Sequence, residues 1–283
     1  MTRERTSWFI TGASQGFGHA LTAEALSRGS TVTATARDAS SLADLASPGL
    51  TVIEADLLCA DDVVRVAESI ARTSVDVLVN NAGRAIVGAA EEVAMPQLRE
   101  QLELNFFAAA ALTRAALPGM RERKAGDIIQ MSSQGGRLSF PGVGAYSASK
   151  FALEGWSEAL AAEVAAFGIR VMLVEPSRFR TGFNSTHSLG LVEAIDAYAG
   201  VVGPVRADLT GIEGHQEGDP ERAAAIIADL VESDALPLRL PLGAEAVERL
   251  ATAYTAAGDG VRRWAEVARS ADFPGGRPTT RGL

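Results

Sequence analysis

The chain has 283 residues, 47% hydrophobic and 22% charged, which is ordinary for one globular α/β domain and long enough to bury a large core. A formal net charge of −9 and a pI near 5.0 disfavour non-specific binding to nucleic acid or to anionic membranes. Cys59 is the single cysteine, which excludes an intrachain disulfide and agrees with a reducing, cytoplasmic setting.

The N-terminal MTRERTSWFITG has too little apolar length for a signal peptide. Ser7–Ile10 reads as a first strand, and no run in the chain approaches the ~20 apolar residues of a membrane span. Thr11-Gly12-Ala13-Ser14-Gln15-Gly16-Phe17-Gly18 follows, and helical spacing starts with Ala20, Leu21, Ala25 and Leu26. Strand, glycine turn and helix in that order form a phosphate-binding unit. Gly12 permits the tight turn, Gly16 lets backbone approach a pyrophosphate, and Gly18 lets helix pack on strand. Thr31–Ala36 is the second strand and ends at Arg37. A basic residue at this position accommodates a 2′-phosphate, so Arg37 argues for NADP(H) over NAD(H), with the adjacent Asp38 as a competing signal. Gln15 adds no second cation.

A weak helix over 40–45 precedes a strand at Thr51–Ala55. Asp61–Ala71 is helical by its apolar spacing, and Val75–Val79 is a buried strand. A long helix spans Met95–Arg123, with Leu98, Leu102, Asn105, Phe106 and Ala109 on one face. Asp127–Ser132 is the next strand, Tyr146–Ala166 a helix, and Ile169–Glu175 a further strand. Strands rich in Val, Ile and Leu, interleaved with helices, indicate an α/β fold. Its expected form is a Rossmann-like, doubly wound parallel sheet of about seven strands with helices on both faces.

In GAYSASKFALEGW, Tyr146 and Lys150 are four residues apart, so a helix puts phenol and ammonium on one face. A tyrosine is too weak an acid near neutral pH, with a pKa of ~10, but a neighbouring cation stabilises its phenolate. Ser133, thirteen residues before Tyr146, can donate to a substrate carbonyl.

Residues 177–218 are rich in Gly, Ser and Thr. A loop this long is usually functional, and 182–218 reads as a lid over a substrate. Asp219-Pro220-Glu221 opens a capped helix, Leu236–Leu242 is a last short strand, and 243–257 and 260–268 are helices of a C-terminal extension over 243–274. The stretch 275–283 reads as a flexible tail. His19, His187 and His215 are scattered surface or loop residues without metal-ligand spacing, so no metal site is expected. One domain over 1–283 is expected.

These motifs together resemble a compact, single-domain short-chain dehydrogenase/reductase, closely over residues 5–182 and loosely over 219–250. TGASQGFG at 11–18 and Asp56-Leu57 carry the likeness, with Asn80-Asn81-Ala82-Gly83 and Asn105. Ser132-Ser133, Tyr146 with Lys150, and Pro176 with Thr181 complete it. The resemblance implies that Asp56 contacts the adenine, with Leu57 beside it, and that the turn with Asn81, Ala82 and Gly83 lies near the adenosine ribose. It implies that Asn105 holds a relay water and that Ser133, rather than Ser132, is the catalytic serine. Lys150 is expected to bind the nicotinamide ribose and lower the Tyr146 pKa, and Thr181 to meet the carboxamide. Ser177 departs from the family, which usually has glycine after the proline, and puts the geometry of that strand end in question.

The reaction implied is hydride exchange between NADP(H) and a carbonyl or secondary alcohol, with Tyr146 as acid or base. Phe140, Val143, Phe179 and Phe183 are candidate pocket residues for a small, fairly apolar substrate, and each fits core packing equally well. A homodimer or homotetramer built on the helices 96–123 and 146–166 is expected from relatives. Two other readings use the same residues: a catalytically silent NADP(H)-binding regulator, and an epimerase or dehydratase that retains its cofactor.

Overall fold

The computed structural model describes residues 6–185, 188–273 and 276. Strands β1 (Ser7–Ile10), β2 (Thr31–Ala36), β3 (Leu50–Glu54) and β4 (Val77–Asn80) come first. They are followed by β5 (Ala85–Val87), β6 (Gly126–Met131), β7 (Ile169–Pro176), β8 (Leu189–Leu191) and β9 (Arg239–Leu242). The α-helices are α1 (Gly16–Ser27), α2 (Ala60–Arg72), α3 (Met95–Leu102), α4 (Ala109–Arg123) and α5 (Gly144–Val164). Beyond β8 come α6 (Ala199–Gly211), α7 (Pro220–Glu232) and α8 (Ala244–Arg269).

Seven strands form one sheet in the order β3-β2-β1-β4-β6-β7-β9, every pair parallel. Alternation along each strand divides the core into two layers. Trp8, Ile10, Val79 and Met172 pack with Leu21 of α1 and Ile227 of α7 on one face. Phe9, Leu78, Ile128 and Val171 pack with Ile70 of α2, Leu112 of α4 and Leu160 of α5 on the other. Full burial of each such side chain contributes ~1.5–3 kcal/mol. The doubly wound fold read from the sequence is therefore the fold observed.

The sheet changes direction of winding between β1 and β4, which are neighbours. Open parallel sheets have their binding crevice at such a point, outside the carboxyl ends of the strands. The glycine turn leaves β1 there and the Asn81–Gly83 turn leaves β4.

The observed elements depart from expectation in several places. The segment 39–45 is a 3₁₀ turn capped by Asp38, whose carboxylate accepts from Ser40 N–H at 2.8 Å. The long helix is interrupted by a π-helical stretch, Glu103–Ala108, where Asn105 turns inward. The loop after β7 contains β8, which pairs with the unanticipated β5, and then α6. The two C-terminal helices are one, because Gly258 and Gly260 weaken a helix without breaking it. His19 lies in α1 within 3.0 Å of Asp44, and His215 is exposed. His187 and nearly all of 275–283 lie outside the described residues.

Candidate active site

Two cavities meet above the carboxyl ends of the strands. A groove of about 190 Å³ is lined by Gly12, Ser14, Gln15 and Gly16 of the glycine turn, by Arg37, and by Asp56 and Leu57. A larger cavity of about 430 Å³ holds Ser133, Tyr146, Lys150, Pro176 and Thr181. Phe17, Asn81, Gly83, Thr181 and Phe183 line both, so the two spaces are continuous.

The groove is built from backbone. Gly12 has φ +64°, and a Cβ on it would stand 2.7 Å from the Ala82 Cα. Gly16 has φ +57°, and a Cβ there would stand 2.6 Å from the Thr181 Cβ. Both the left-handed angle and the missing side chain are thus required. Gly18 is buried beneath them against Asn81 and the Gly12 carbonyl. Thr11 Oγ1 accepts from the Asn81 and Ala82 amides at 3.0 and 3.1 Å. Asn81 Nδ2 donates back to the Thr11 and Gly12 carbonyls at 3.0 and 2.9 Å, locking the two turns together.

The first turn of α1 has no capping side chain and no acidic residue. Its free N–H groups and positive dipole end face the groove, the arrangement that suits a phosphate. Arg37 is exposed just beyond β2, while the neighbouring Asp38 is turned to its own cap. These residues fit a dinucleotide: amides for a pyrophosphate, a guanidinium for a further phosphate, and an apolar slot at Ala55 and Leu57 for a base.

The larger cavity is apolar, with a polar floor. Lys150 is 5% exposed and donates to the Met131 carbonyl at 2.7 Å. Tyr146 stacks on Phe183 with ring centres 5.8 Å apart, and the Lys150 Nζ stands 5.9 Å from the tyrosine ring centre. Burial pushes the Tyr146 phenol up to about 12, partly offset by its hydrogen bond with Ser133. Burial also pulls Lys150 down to about 8, opposed by the charge of Glu154. The lowered tyrosine pKa expected from the sequence is therefore not the state of the protein alone. Desolvation penalises both charged forms and outweighs the Ser133 hydrogen bond at the phenol and the Glu154 charge at the lysine. Ser133 Oγ accepts from the Gly135 amide at 3.0 Å, which fixes its rotamer at the turn after β6.

Asn105 is 1% exposed. Its Nδ2 donates to the Arg84 carbonyl and to Ser149 Oγ, both at 3.0 Å, and its Oδ1 accepts from the Arg84 amide at 3.2 Å. A Cβ on Gly83 would lie 3.2 Å from Asn105 Oδ1 and 3.6 Å from Lys150 Nζ, so this glycine keeps a passage open between them.

All four apolar candidates, Phe140, Val143, Phe179 and Phe183, line the larger cavity. Phe179 also packs on Phe17 at 4.9 Å and belongs to the core, so it serves as wall and as packing. Ser177 fits because its partner lacks a side chain. Its amide donates to the Leu242 carbonyl at 3.0 Å, and its hydroxyl occupies the space beside Gly243, which has φ +93°. The sequence reading missed the far wall: Val205, Leu209 and Ile212 in and after α6, and Arg249 of α8. The apolar residues among 201–212 were the available signal.

A family model described as short chain dehydrogenase matches residues 7–190. The oxidoreductase BOA17 of Botryotinia fuckeliana is 33% identical over 266 residues, spanning 92% of this chain and 97% of the relative. A short-chain dehydrogenase from Streptomyces avermitilis superposes with a TM-score of 0.89 at 44% identity, over 96% of this chain and 100% of that one. One from Burkholderia cenocepacia, solved in complex with NADP, superposes with a TM-score of 0.71 at 26% identity, over 95% and 98% of the two chains.

Proposed function

Because the chain belongs to the short-chain dehydrogenase family, we propose that it is an NADP(H)-dependent oxidoreductase acting on the carbonyl or secondary alcohol of a small, apolar molecule. The observation that carries this reading is the convergence of Ser133, Tyr146 and Lys150 on an apolar cavity that opens directly into the glycine-turn groove.

NADP(H) would bind with its pyrophosphate on the amides of 12–18 and its 2′-phosphate at Arg37, and would supply or accept the hydride equivalent. Asp56 and Leu57 would border the adenine, Asn81 to Gly83 the ribose, and Thr181 the carboxamide. Ser133 and Tyr146 hold the substrate oxygen from two sides. Tyr146 gives that oxygen its proton as negative charge develops, or takes the proton when the alcohol is oxidised. Lys150 would hold the nicotinamide ribose of the cofactor, and its ammonium would favour the phenolate. Asn105 and Lys150 return the proton through the passage at Gly83. The lid reading of 182–218 is supported by α6, whose Pro204, Val205 and Leu209 line the same cavity as Tyr146. A dimer or tetramer is supported by Phe107 and Phe151, which are 51% and 46% exposed beside α4 and on α5.

Fluorescence titration of NADPH and NADH, on this protein and on Arg37→Ala, tests the cofactor reading. The variant is expected to lose NADPH affinity by tenfold or more while NADH affinity stays. Equal loss for both nucleotides removes Arg37 from the 2′-phosphate. Tyr146→Phe is expected to bind NADPH normally and to reduce no member of a ketone and aldehyde panel, and normal turnover by it would overturn the chemistry.

A further inference from the structure

A buried polar atom without a hydrogen-bond partner costs stability, so each one in a native fold calls for a reason. Among the described residues that carry such an atom, two line the larger cavity, Ser132 and Gln134. The buried acids Glu154 and Glu175 also carry one each, but they face Arg239 of β9 in an ion-pair set away from the cavity wall. Ser132 Oγ is committed to packing. It stands 2.7 Å from where a Cβ on Gly136 would be, and Glu154 Cγ and Lys150 Cβ of α5 close on the same point at 3.0 and 3.3 Å. Gln134 remains.

Gln134 follows Ser133 directly and opens the 3₁₀ turn Gln134–Gly136 beyond β6. The backbone of this turn is fixed. Ser133 Oγ accepts from the Gly135 amide at 3.0 Å, and the Gln134 carbonyl accepts from the Arg137 and Leu138 amides at 3.1 and 3.2 Å. The turn is also pressed onto the tyrosine: a Cβ on Gly135 would lie 3.2 Å from Tyr146 Cε1. The side chain of Gln134 is 93% withdrawn from solvent by the measure that leaves the residue 7% exposed, yet its Oε1 has no partner. Phe140, Val143 and Leu209 make the rest of that cavity apolar and offer it none. An unsatisfied carboxamide thus stands in the substrate wall, one residue from the serine that holds the reacting oxygen.

We propose that Gln134 is a specificity-determining residue whose carboxamide binds a hydroxyl on the carbon next to the reacting one, so that the substrate is an apolar α-hydroxy ketone and the product a vicinal diol. The proposal rests on reading Ser133 and Tyr146 as the pair that holds the substrate oxygen. Adjacent residues have Cα atoms ~3.8 Å apart, a spacing that suits two oxygens on neighbouring carbons. The last torsion of a glutamine is broad and two-fold, so either the oxygen or the nitrogen of the carboxamide can turn to the cavity. A hydroxyl both donates and accepts, and so satisfies either orientation. Hydride passes from NADPH to the carbonyl carbon and the Tyr146 proton to its oxygen, leaving NADP⁺. The neighbouring hydroxyl stays on Gln134, with no bond to it formed or broken. A ketone without that hydroxyl leaves the carboxamide unpaired and is discriminated against for that reason.

The test compares a straight-chain α-hydroxy ketone with the parent ketone of equal length, both reduced with NADPH by the full chain and by Gln134→Met. The variant is expected to lose tenfold or more in kcat/KM for the hydroxy ketone and to stay within twofold for the parent ketone. Comparing the same two substrates in both proteins cancels their difference in intrinsic reactivity. Gln134→Met should also melt no lower than wild type, because it removes an unpaired polar group, whereas a structural role for the carboxamide would lower the melting temperature. If the methionine variant does not fold, Gln134→Ala is read the same way. Equal loss for both ketones, or no loss for the hydroxy ketone, overturns the proposal. Calorimetry of the vicinal diol and of the parent alcohol on the NADP⁺ complex gives a readout independent of turnover. A diol bound tenfold more tightly than the alcohol by wild type and equally by the variant supports the subsite, even where neither ketone is reduced, and that combination overturns the oxidoreductase reading instead. Equal binding of diol and alcohol by wild type overturns the subsite.

Discussion

Replacing Lys150 with methionine is expected to abolish turnover and to stabilise the fold at neutral pH. The lysine is 5% exposed, and its pKa falls from 10.5 to about 8 on burial. At 1.36 kcal/mol per unit, keeping it charged below pH 8 costs the native state about 3 kcal/mol. The folded pKa is depressed, so between about pH 8 and 10.5 the unfolded chain binds the extra proton and wild-type stability climbs with pH. Below that window the penalty is present in full, and above it the penalty is gone. Methionine has similar length and nothing to titrate. It forfeits the bond to the Met131 carbonyl, worth ~1 kcal/mol. The variant should therefore gain about 2 kcal/mol at pH 7, or roughly 4 °C in melting temperature for a chain of this size. Urea denaturation at pH 7, 8.5 and 10 measures it. The gap should be largest at pH 7 and should close by about pH 10. A variant no more stable than wild type at pH 7, or a gap that ignores pH, would refute the reasoning.

Gly16→Ala forces a side chain into a left-handed backbone and to 2.6 Å from the Thr181 Cβ. It should cost ~1–3 kcal/mol in thermal unfolding and lower NADPH affinity more than tenfold by fluorescence titration. Leu112→Ala empties a fully buried site between α4 and the sheet and should cost ~2.7–5 kcal/mol by urea denaturation, with nucleotide affinity unchanged. Arg206→Met removes the guanidinium that joins α6 to Glu92, whose carboxylate also accepts from the Ala89 and Ile195 amides. Hydrogen exchange should accelerate over residues 192–211 and stay unchanged in β1, β4 and β6. Uniform acceleration across the chain would show that this pair supports the whole fold rather than the cavity wall.

Short-range signals carried most of what the sequence disclosed. Thr11–Gly18 identifies its own turn because the glycine positions and the flanking periodicities lie within one window, and the fold class follows from repeating that unit. Features set by distant partners were not legible. β5 and β8 are three residues each and become strands only by pairing across about a hundred residues. The π-helical stretch at 103–108 keeps the apolar spacing of an α-helix, and the partners of Asn105 within it, Arg84 and Ser149, are distant in sequence. α6 contains Gly203 and Pro204, which read as a loop, yet its buried Val202 fits against Gly142. Among the residues lining the two cavities, those in motifs were legible in the sequence, and those contributed by α6 and α8 were not. Glu154 and Glu175 carried a readable clue: each is an acid at a position where its neighbours demand an apolar residue.

The place of β9 at the edge of the sheet has a consequence for how the molecule is made. β9 pairs with β7 more than sixty residues after it, so this is the last pairing the chain can form as it leaves the ribosome. Arg239 is in that strand. Until it docks, Glu154 and Glu175 lack the Arg239 guanidinium that stands 3.1 and 3.6 Å from them in the folded protein. The charged groups behind Lys150 are completed only by the C-terminal part of the chain, through Arg239 and through Tyr254, which holds Arg137.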